Sequence, residues 1–346
     1  MKTAAIICEY NPFHYGHKFH MDETRAVLGE DTRIVCLMSG DFVQRGEAAY
    51  KDKWYRAKVA VDQGADLVIE LPFCYACNGA KQFAEGAVKI LEKMGCIDCL
   101  SFGSESGSLE ELEEHVEISG DAINLVKEGV SYAVAMGKDD VLKVPNNTLG
   151  IEYLRALRKY SSDIKPMTIK RGEEKSSSYI RSEAREGKDI SPYTPAAYEG
   201  YTEGLPYELI ASAIFSKSAE ELDSLPSAGE GIGFKLKSEV RKHSRTESLV
   251  DAVRQTRYTK ARIKRVLCQM LVGYEESDAI RVLAASENGT KLIREMKKED
   301  IDVITNINKE QGVADADIHA SDIYNLITSG DLYAESDFVK KPYIRR

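Results

Sequence analysis

The chain has no run of about 18 consecutive apolar residues, the length needed to span a bilayer. Its opening, MKTAAIICEY, lacks a basic stretch followed by a long apolar segment and a cleavage site. Neither membrane insertion nor secretion is expected. Cysteine is sparse and odd in number, seven in all, which argues against a disulfide framework and for free thiols in the reducing cytoplasm. There is no internal repeat and no low-complexity tract beyond Ser176–Ser178, and nothing in the pattern points to an obligate protein partner. Basic residues are outnumbered 47 to 56, for a net charge of −9, which argues against indiscriminate nucleic-acid binding. The deficit is uneven. Residues 230–265 hold eleven Lys or Arg against four Asp or Glu, a balance of +7. A basic island on an acidic chain reads either as a localised polyanion site or as a solvated helical face.

With 346 residues, 43% of them hydrophobic, the chain exceeds what one core usually organises, and two domains are expected. In the first, 1–200, short apolar runs alternate with amphipathic stretches. Residues 4–8, 33–38, 66–71 and 97–102 read as buried strands, and 16–28, 51–63 and 82–94 carry helical spacing. A helix at 149–159, a strand at 166–169 and a helix at 176–186 continue the series. The class is α/β, a doubly wound parallel sheet built from right-handed βαβ units. In 201–346 the texture becomes mostly helical, with long patterns at 208–215, 235–253 and 260–272 and a short α/β element around 279–326.

The first strand runs into EYNPFHYGHKFH, so residues 11–15 form a turn and Gly16 opens a helix. A helix N-terminus at the carboxyl end of a parallel strand offers unpaired N–H groups and a positive dipole end to phosphate oxygens. Gly16 clears room for close approach, and His14 and His17 flank it, placed to donate to a phosphoryl group as its charge rises. A lone H-x-x-H reads more readily as two ordinary loop histidines. Position after the first strand changes this, because His-x-Gly-His there resembles the HxGH signature of the nucleotidyltransferase superfamily, a HUP-like fold. Ser176 to Arg181, SSSYIR, resembles that superfamily's second phosphate motif, with hydroxyl and N–H donors at a helix start and Arg181 as a fixed positive fork. A metal held by His14, His17 and His20 is not expected, since no carboxylate or cysteine stands nearby in ligand spacing. Cys74-x-x-Cys77 and Cys96-x-x-Cys99 match the formal spacing of a zinc ribbon. The segment between them reads as an amphipathic helix and Cys99 falls in a strand, so buried thiols are expected instead.

Read together, EYNPFHYGH, MSGDFVQRGE, LVIELPF, LSFGSES, PNNTLGIEYLRAL and SSSYIR, with the later YTKARIKRVLCQMLVG, resemble the tRNA(Met) cytidine acetate ligase family along nearly the whole chain. The resemblance implies an enzyme that activates acetate with ATP as acetyl-adenylate. It then passes the acetyl group to the exocyclic amine of the wobble cytidine of elongator tRNA(Met). Mg²⁺ would arrive on the ATP phosphates. The implied ATP site holds Ile7, Glu9, Tyr10, Asn11, Pro12, Phe13, His14, Gly16, His17 and His20, with Gly103, Asn147, Arg171, Ser178 and Arg181. His14, His17 and Arg181 carry the chemistry. Gly103 also reads as a plain turn glycine and Asn147 as an N-cap. Asp41 and Arg45 are placed at the acetate pocket, Arg45 reading otherwise as a surface ion pair. The family commonly has Asn at Asp41, whose charge would repel acetate or, if buried, titrate upward. The stretch between Arg171 and Ser176 is also short beside relatives. For tRNA contacts the basic island supplies Lys235, Lys237, Arg241, Lys242, Arg257, Lys260, Arg262, Lys264 and Arg265. Two rival readings remain: a small-molecule adenylyltransferase acting on a phosphopantetheine or mononucleotide, and a non-catalytic RNA-binding scaffold.

Overall fold

The computed structural model describes residues 1–117, 145–172, 174–197, 204–255, 258–307, 313–328 and 331–346. The N-terminal half is built from β1 (Thr3–Cys8), α1 (Tyr15–Leu28), β2 (Arg33–Ser39), the hairpin strands β3 (Phe42–Val43) and β4 (Glu47–Ala48), α2 (Lys53–Asp62), β5 (Leu67–Leu71), α3 (Phe73–Ala76), α4 (Ala80–Met94), β6 (Cys99–Ser104), α5 (Leu109–Glu113), α6 (Pro145–Lys159), β7 (Lys165–Lys170) and α7 (Ser177–Arg185). The second half contributes α8 (Tyr207–Ser216), α9 (Ala219–Asp223), α10 (Ile232–Glu239), α11 (Thr246–Val253), α12 (Lys260–Val272), β8 (Ile280–Ala285), α13 (Glu287–Lys298), β9 (Val303–Ile304), α14 (Asp315–Thr328) and β10 (Tyr343–Ile344).

Strands pair in the order β10-β8-β5-β2-β1-β6-β7, with β9 also on β8, and every pairing in this sheet is parallel except β5 with β8. β1 therefore sits between strands reached in opposite directions along the sheet, and the crevice at its carboxyl end is where such sheets bind ligands. Apolar residues of the strands alternate between two layers: Ala5, Val35 and Leu37 pack on α4 and α6, whereas Ala4, Ile34 and Cys36 pack under α1 and α2. The expected doubly wound α/β class is what the chain adopts. Among the described residues no helix is long and apolar enough to cross a membrane.

Two features depart from the sequence reading. The pattern at 235–253 is not one helix, because the backbone tightens at Val240–Lys242 and extends at His243 before α11 begins. And 279–326 is not a separate small element, because β8 joins the main sheet beside β5. The helical half is likewise continuous with the first, since the core of α8, α10, α11 and α12 includes Phe42, Val43 and Ala49 of the hairpin region.

A buried polar cluster ties these parts together. Lys53 Nζ donates to Glu70 Oε1 and to Asp337 Oδ2, each at 2.8 Å, and Arg281 Nη1 reaches Glu70 Oε2 at 3.0 Å and Asp337 Oδ2 at 2.8 Å. Two cations and two anions balance, so the further carboxyls, Asp41 at 3.8 Å from Lys53 and Asp317, have no cation of their own among the described residues. Burial pushes Asp41 up to about 6 against the pull of Lys53, and burial together with Glu70 pushes Asp317 up to about 7. Asp337, despite its burial, is held well below the usual carboxylate range by Lys53 and Arg281. Ser321 Oγ lies 2.8 Å from Asp41 Oδ2 and 2.9 Å from Asp337 Oδ2. Its single proton serves Asp337 when Asp41 carries one of its own.

The raised Asp317 carboxyl has a sign that can be measured. A carboxyl held above its ordinary 3.8 contributes stability that is complete below that value and lost as pH rises through about 7. Asp317→Asn keeps an acceptor for the Phe73 N–H, which the aspartate holds at 2.6 Å, and removes the titration. The stability of the variant relative to wild type should therefore rise between pH 4 and pH 8 in urea unfolding. A difference that does not change with pH would rule the assignment out.

Candidate active site

The turn after β1 is set by buried contacts before any ligand is considered. Arg56 donates to the carbonyls of Glu9 (2.6 Å), Ser39 (3.1 Å) and Gly40, fastening the exits of β1 and β2 to each other. Tyr10 is buried in the left-handed region at φ 48°, a conformation that costs a non-glycine residue energy and is found where the surroundings fix it. Its hydroxyl meets Cys36 Sγ at 3.2 Å, and its ring packs edge-on to Phe13. Asn11 Oδ1 accepts the Tyr50 N–H at 2.6 Å.

His14 is the N-cap of α1. Its Nδ1 accepts the Gly16 N–H at 3.1 Å, and His17 Nδ1 in turn accepts the His14 N–H at 3.2 Å, a reciprocal cap made of two imidazoles stacked 3.7 Å apart. A nitrogen that accepts a backbone N–H has no proton of its own, so each neutral ring carries its proton on Nε2. Burial, with Arg171 beside it, lowers His14 to about 4, and burial with His14, His20 and Arg171 lowers His17 well below its ordinary range. Both rings therefore stand as neutral Nε2–H donors. His20 follows by a relay: Thr24 Oγ1 donates to the His20 carbonyl at 2.8 Å, so Ser101 Oγ donates to Thr24 and accepts from His20 Nε2 at 2.9 Å. Gly16 is required sterically, since a Cβ there would lie 2.9 Å from the His14 ring.

These groups line a cavity of about 490 Å³ at the carboxyl ends of β1 and β6, within the usual size range of small-ligand sites. Ile7, Glu9, Tyr10, Asn11, His14, Gly16, His17, His20, Gly103, Arg171, Ser178 and Arg181 all reach it. Arg45 lies on its wall as well, from the hairpin loop. Arg181 also donates to the Asn11 carbonyl at 2.5 Å, so the second motif is fastened onto the first. Ser176 caps α7 by accepting the Tyr179 N–H at 3.2 Å, which points a second helix N-terminus toward the cavity. A Cβ at Gly103 would meet only Arg171 Cγ at 3.4 Å and the Ile169 carbonyl at 3.9 Å, so its smallness serves the open side.

Other expected site residues lie elsewhere. Pro12 and Phe13 stand behind the turn, Phe13 fully buried against Tyr10. Asn147 does not cap α6 but lies inside it, where its Oδ1 accepts the Glu105 N–H at 3.2 Å, and it is Asn146 that lines the cavity. Asp41 is a correction: it faces the Lys53 cluster and no part of it lines the cavity, because its Oδ1 accepts the Lys53 N–H at 2.8 Å. The two CxxC pairs separate, with Cys77 in the core of the helical half and Cys99 under α1 and α2 on the far side of the sheet.

Reasoning from sequence missed Gln44, Glu47 and Tyr153 on the cavity wall. Glu9 Oε1 accepts the Gln44 N–H at 2.8 Å, and burial raises the Glu9 carboxyl against the pull of that bond and of Arg181. Glu47 leads to the basic island. Lys264, with only 19% of its side chain exposed, bridges Glu47 and Glu247 at 2.8 Å each, and Arg265 Nη1 donates to the Gln44 carbonyl at 3.3 Å. Gly46, at φ +73°, lies so close to α12 that a Cβ would stand 2.3 Å from the Arg265 nitrogen. Arg262 is likewise spent internally, on the carbonyls of Ser227 (2.9 Å) and Ala228 (2.6 Å) and on Glu230. For Arg262 and Lys264 the assignment to tRNA phosphates is corrected, because their donors are committed within the fold, whereas Arg265 is turned toward the hairpin loop by its bond to the Gln44 carbonyl. Lys260 pairs with Asp251 and Lys242 with Glu239 at the surface. Lys235, Lys237 and Arg241 make no ion pair among the described residues. Arg257 lies outside the described residues.

A neutral pair of imidazole donors, two helix N-termini, seryl hydroxyls and Arg181 around one cavity form a set suited to a polyphosphate and to the charge that develops when its α-phosphorus is attacked. Comparison with known proteins agrees. The HIGH Nucleotidyl Transferase family model matches residues 1–337. The tRNA(Met) cytidine acetate ligase of Clostridium botulinum (strain Langeland) is 33% identical, the alignment covering 99% of this chain and 98% of that one. The protein of the same name from Clostridium novyi is 34% identical, with 99% of each covered. Among solved structures, Thermotoga maritima TmcAL bound with alpha-thio ATP superposes with a TM-score of 0.89 at 26% identity over 100% of both chains. By the model that spans it and the relatives that align along nearly its whole length, the chain belongs to the HIGH nucleotidyl transferase family, among the tRNA(Met) cytidine acetate ligases.

Proposed function

We propose that this enzyme activates acetate and delivers it to RNA. An acetate oxygen attacks the α-phosphorus of ATP, giving acetyl-adenylate and pyrophosphate. The exocyclic amine of the wobble cytidine of elongator tRNA(Met) then attacks the acetyl carbonyl, releasing AMP and a proton and leaving N4-acetylcytidine. The observation that carries the reading is the locked pair of Nε2–H donors on His14 and His17 over the start of α1. Arg181 answers charge on the phosphates, and Arg45, from the hairpin loop, is the cation for the acetate carboxylate. Mg²⁺ enters with ATP, held by phosphate oxygens and water. The work belongs in the cytoplasm, where its RNA substrate is.

The test is to incubate the protein with ATP, Mg²⁺ and labelled acetate, with and without tRNA, and to analyse the nucleosides. Acetylcytidine that requires both ATP and tRNA supports the reading. Pyrophosphate release onto a small acceptor, with no acetylated nucleoside, would instead favour a small-molecule adenylyltransferase. That alternative gives the outward cations Lys235, Lys237 and Arg241 nothing to do. Because Lys264 braces Glu47 on the cavity wall, Lys264→Glu should lower acetate-dependent ATP–pyrophosphate exchange while leaving tRNA affinity near that of wild type. Lys237→Glu should lower tRNA affinity alone. Equal effects of the two on exchange would refute the bracing role.

A further inference from the structure

The outward surface between α8 and α10 takes no part in the ATP cavity. Phe215, at the end of α8, is 49% exposed, and Phe234, in the first turn of α10, is 51% exposed. Lys237 follows Phe234 by three residues on the same face of α10, and Arg241 lies in the tighter turn that continues α10 at Val240–Lys242. The guanidinium of Arg241 lies 4.8 Å from the centre of the Phe215 ring, and Lys237 Nζ reaches the Phe215 carbonyl at 3.4 Å. Neither cation is paired to a carboxylate among the described residues. Of the acids nearby, Glu221 accepts the Ser218 N–H and lies within electrostatic reach of Lys237 without pairing with it, and Glu239 holds Lys242 and His243.

Exposed rings interleaved with unpaired cations are the chemistry of single-stranded RNA recognition, in which bases stack on aromatic faces while phosphates meet Lys and Arg. A second copy of this chain, or an apolar protein partner, would meet the same rings but also cations that no carboxylate of the described residues pairs with. We propose that Phe215 and Phe234 are a stacking platform for unpaired bases of the tRNA substrate, with Lys237 and Arg241 on the flanking phosphates. The inference rests on the tRNA reading given above.

Both rings are at the surface, so their replacement leaves the core intact. In filter binding with unmodified tRNA across a salt series, Phe215→Leu and Phe234→Leu should each weaken affinity about tenfold, roughly 1.4 kcal/mol. The slope of log Kd against log salt should not change, because no cation is lost, whereas Arg241→Gln should reduce it by about 0.7, the single-strand value. Phe215→Trp and Phe234→Trp should bind like wild type, and acetate-dependent ATP–pyrophosphate exchange should be unchanged in all the phenylalanine variants. Leucine variants that bind tRNA within twofold of wild type would overturn the platform while leaving the acetylation reading standing. So would a change of oligomeric mass on size exclusion with tRNA affinity intact. A wild-type protein that exchanges pyrophosphate but binds no tRNA would remove both.

Discussion

His14→Asn should lower the rate of acetate-dependent ATP–pyrophosphate exchange by about 10² to 10³-fold, the usual effect of deleting one preorganised donor to a developing oxyanion. The choice of asparagine separates two jobs that the imidazole combines. As the cap of α1, His14 accepts the Gly16 N–H, and asparagine is among the best residues for that bond, so the helix keeps its start. What asparagine does not restore is an Nε2–H projected into the cavity. His14→Ala, by contrast, loses the donor and the cap, and should unfold more easily by about 1 kcal/mol as well. Thermal denaturation distinguishes the variants, and exchange kinetics measure the chemistry. Exchange in His14→Asn within threefold of wild type would mean that the cap is all His14 provides. The neutral state matters to the argument: with His14 lowered to about 4, the ring donates as imidazole throughout the physiological range and the rate should not follow its protonation.

Lys53→Met should be the most damaging single change to stability. Lys53 is fully buried, and its ammonium holds Glu70 and Asp337 while lying 3.8 Å from Asp41. Removing it leaves two buried carboxylates to Arg281 alone. Stripping one partner from a buried ionic cluster costs about 3–5 kcal/mol, because the remaining charge cannot be resolvated. For a chain of 346 residues that is a fall in Tm of about 4–7 °C. Adding Asp337→Asn to Lys53→Met restores the balance of one cation to one anion and should recover part of the loss, a positive coupling in the double-mutant cycle. If the single variant melts within 2 °C of wild type, the cluster does not carry the load assigned to it.

How far such features could be read beforehand depends on the range over which they are determined. The HxGH turn was legible because each of its parts is local: an apolar strand, a cap two residues before a glycine, and a helix. The break near His243 was not, since VRKHSRT contains neither Gly nor Pro to mark it. Charge was the least transferable signal. The island at 230–265 reveals the sign of its residues but not their partners. Lys264 finds Glu47 more than two hundred residues earlier in the chain, and Asp41 finds Ser321 at a still greater separation. Asp41 looked like part of the same site because its neighbours in MSGDFVQRGE, among them Val43, Gln44 and Arg45, line the cavity. A single turn between Asp41 and Arg45 sends one side chain to the interior and the other to the cavity wall.

The antiparallel pairing of β5 with β8 bears on how this protein can be dissected. All five residues of β5 are buried, and the strand that covers its outer edge is supplied more than two hundred residues downstream. A fragment ending near residue 200 would keep the whole HxGH turn yet present Leu67–Leu71 as a bare apolar edge, the geometry that recruits strands from other molecules. Such a fragment should precipitate rather than survive as a miniature nucleotide-binding domain. Complementation by a separately produced C-terminal piece would have to deliver β8 before that edge found another copy of itself.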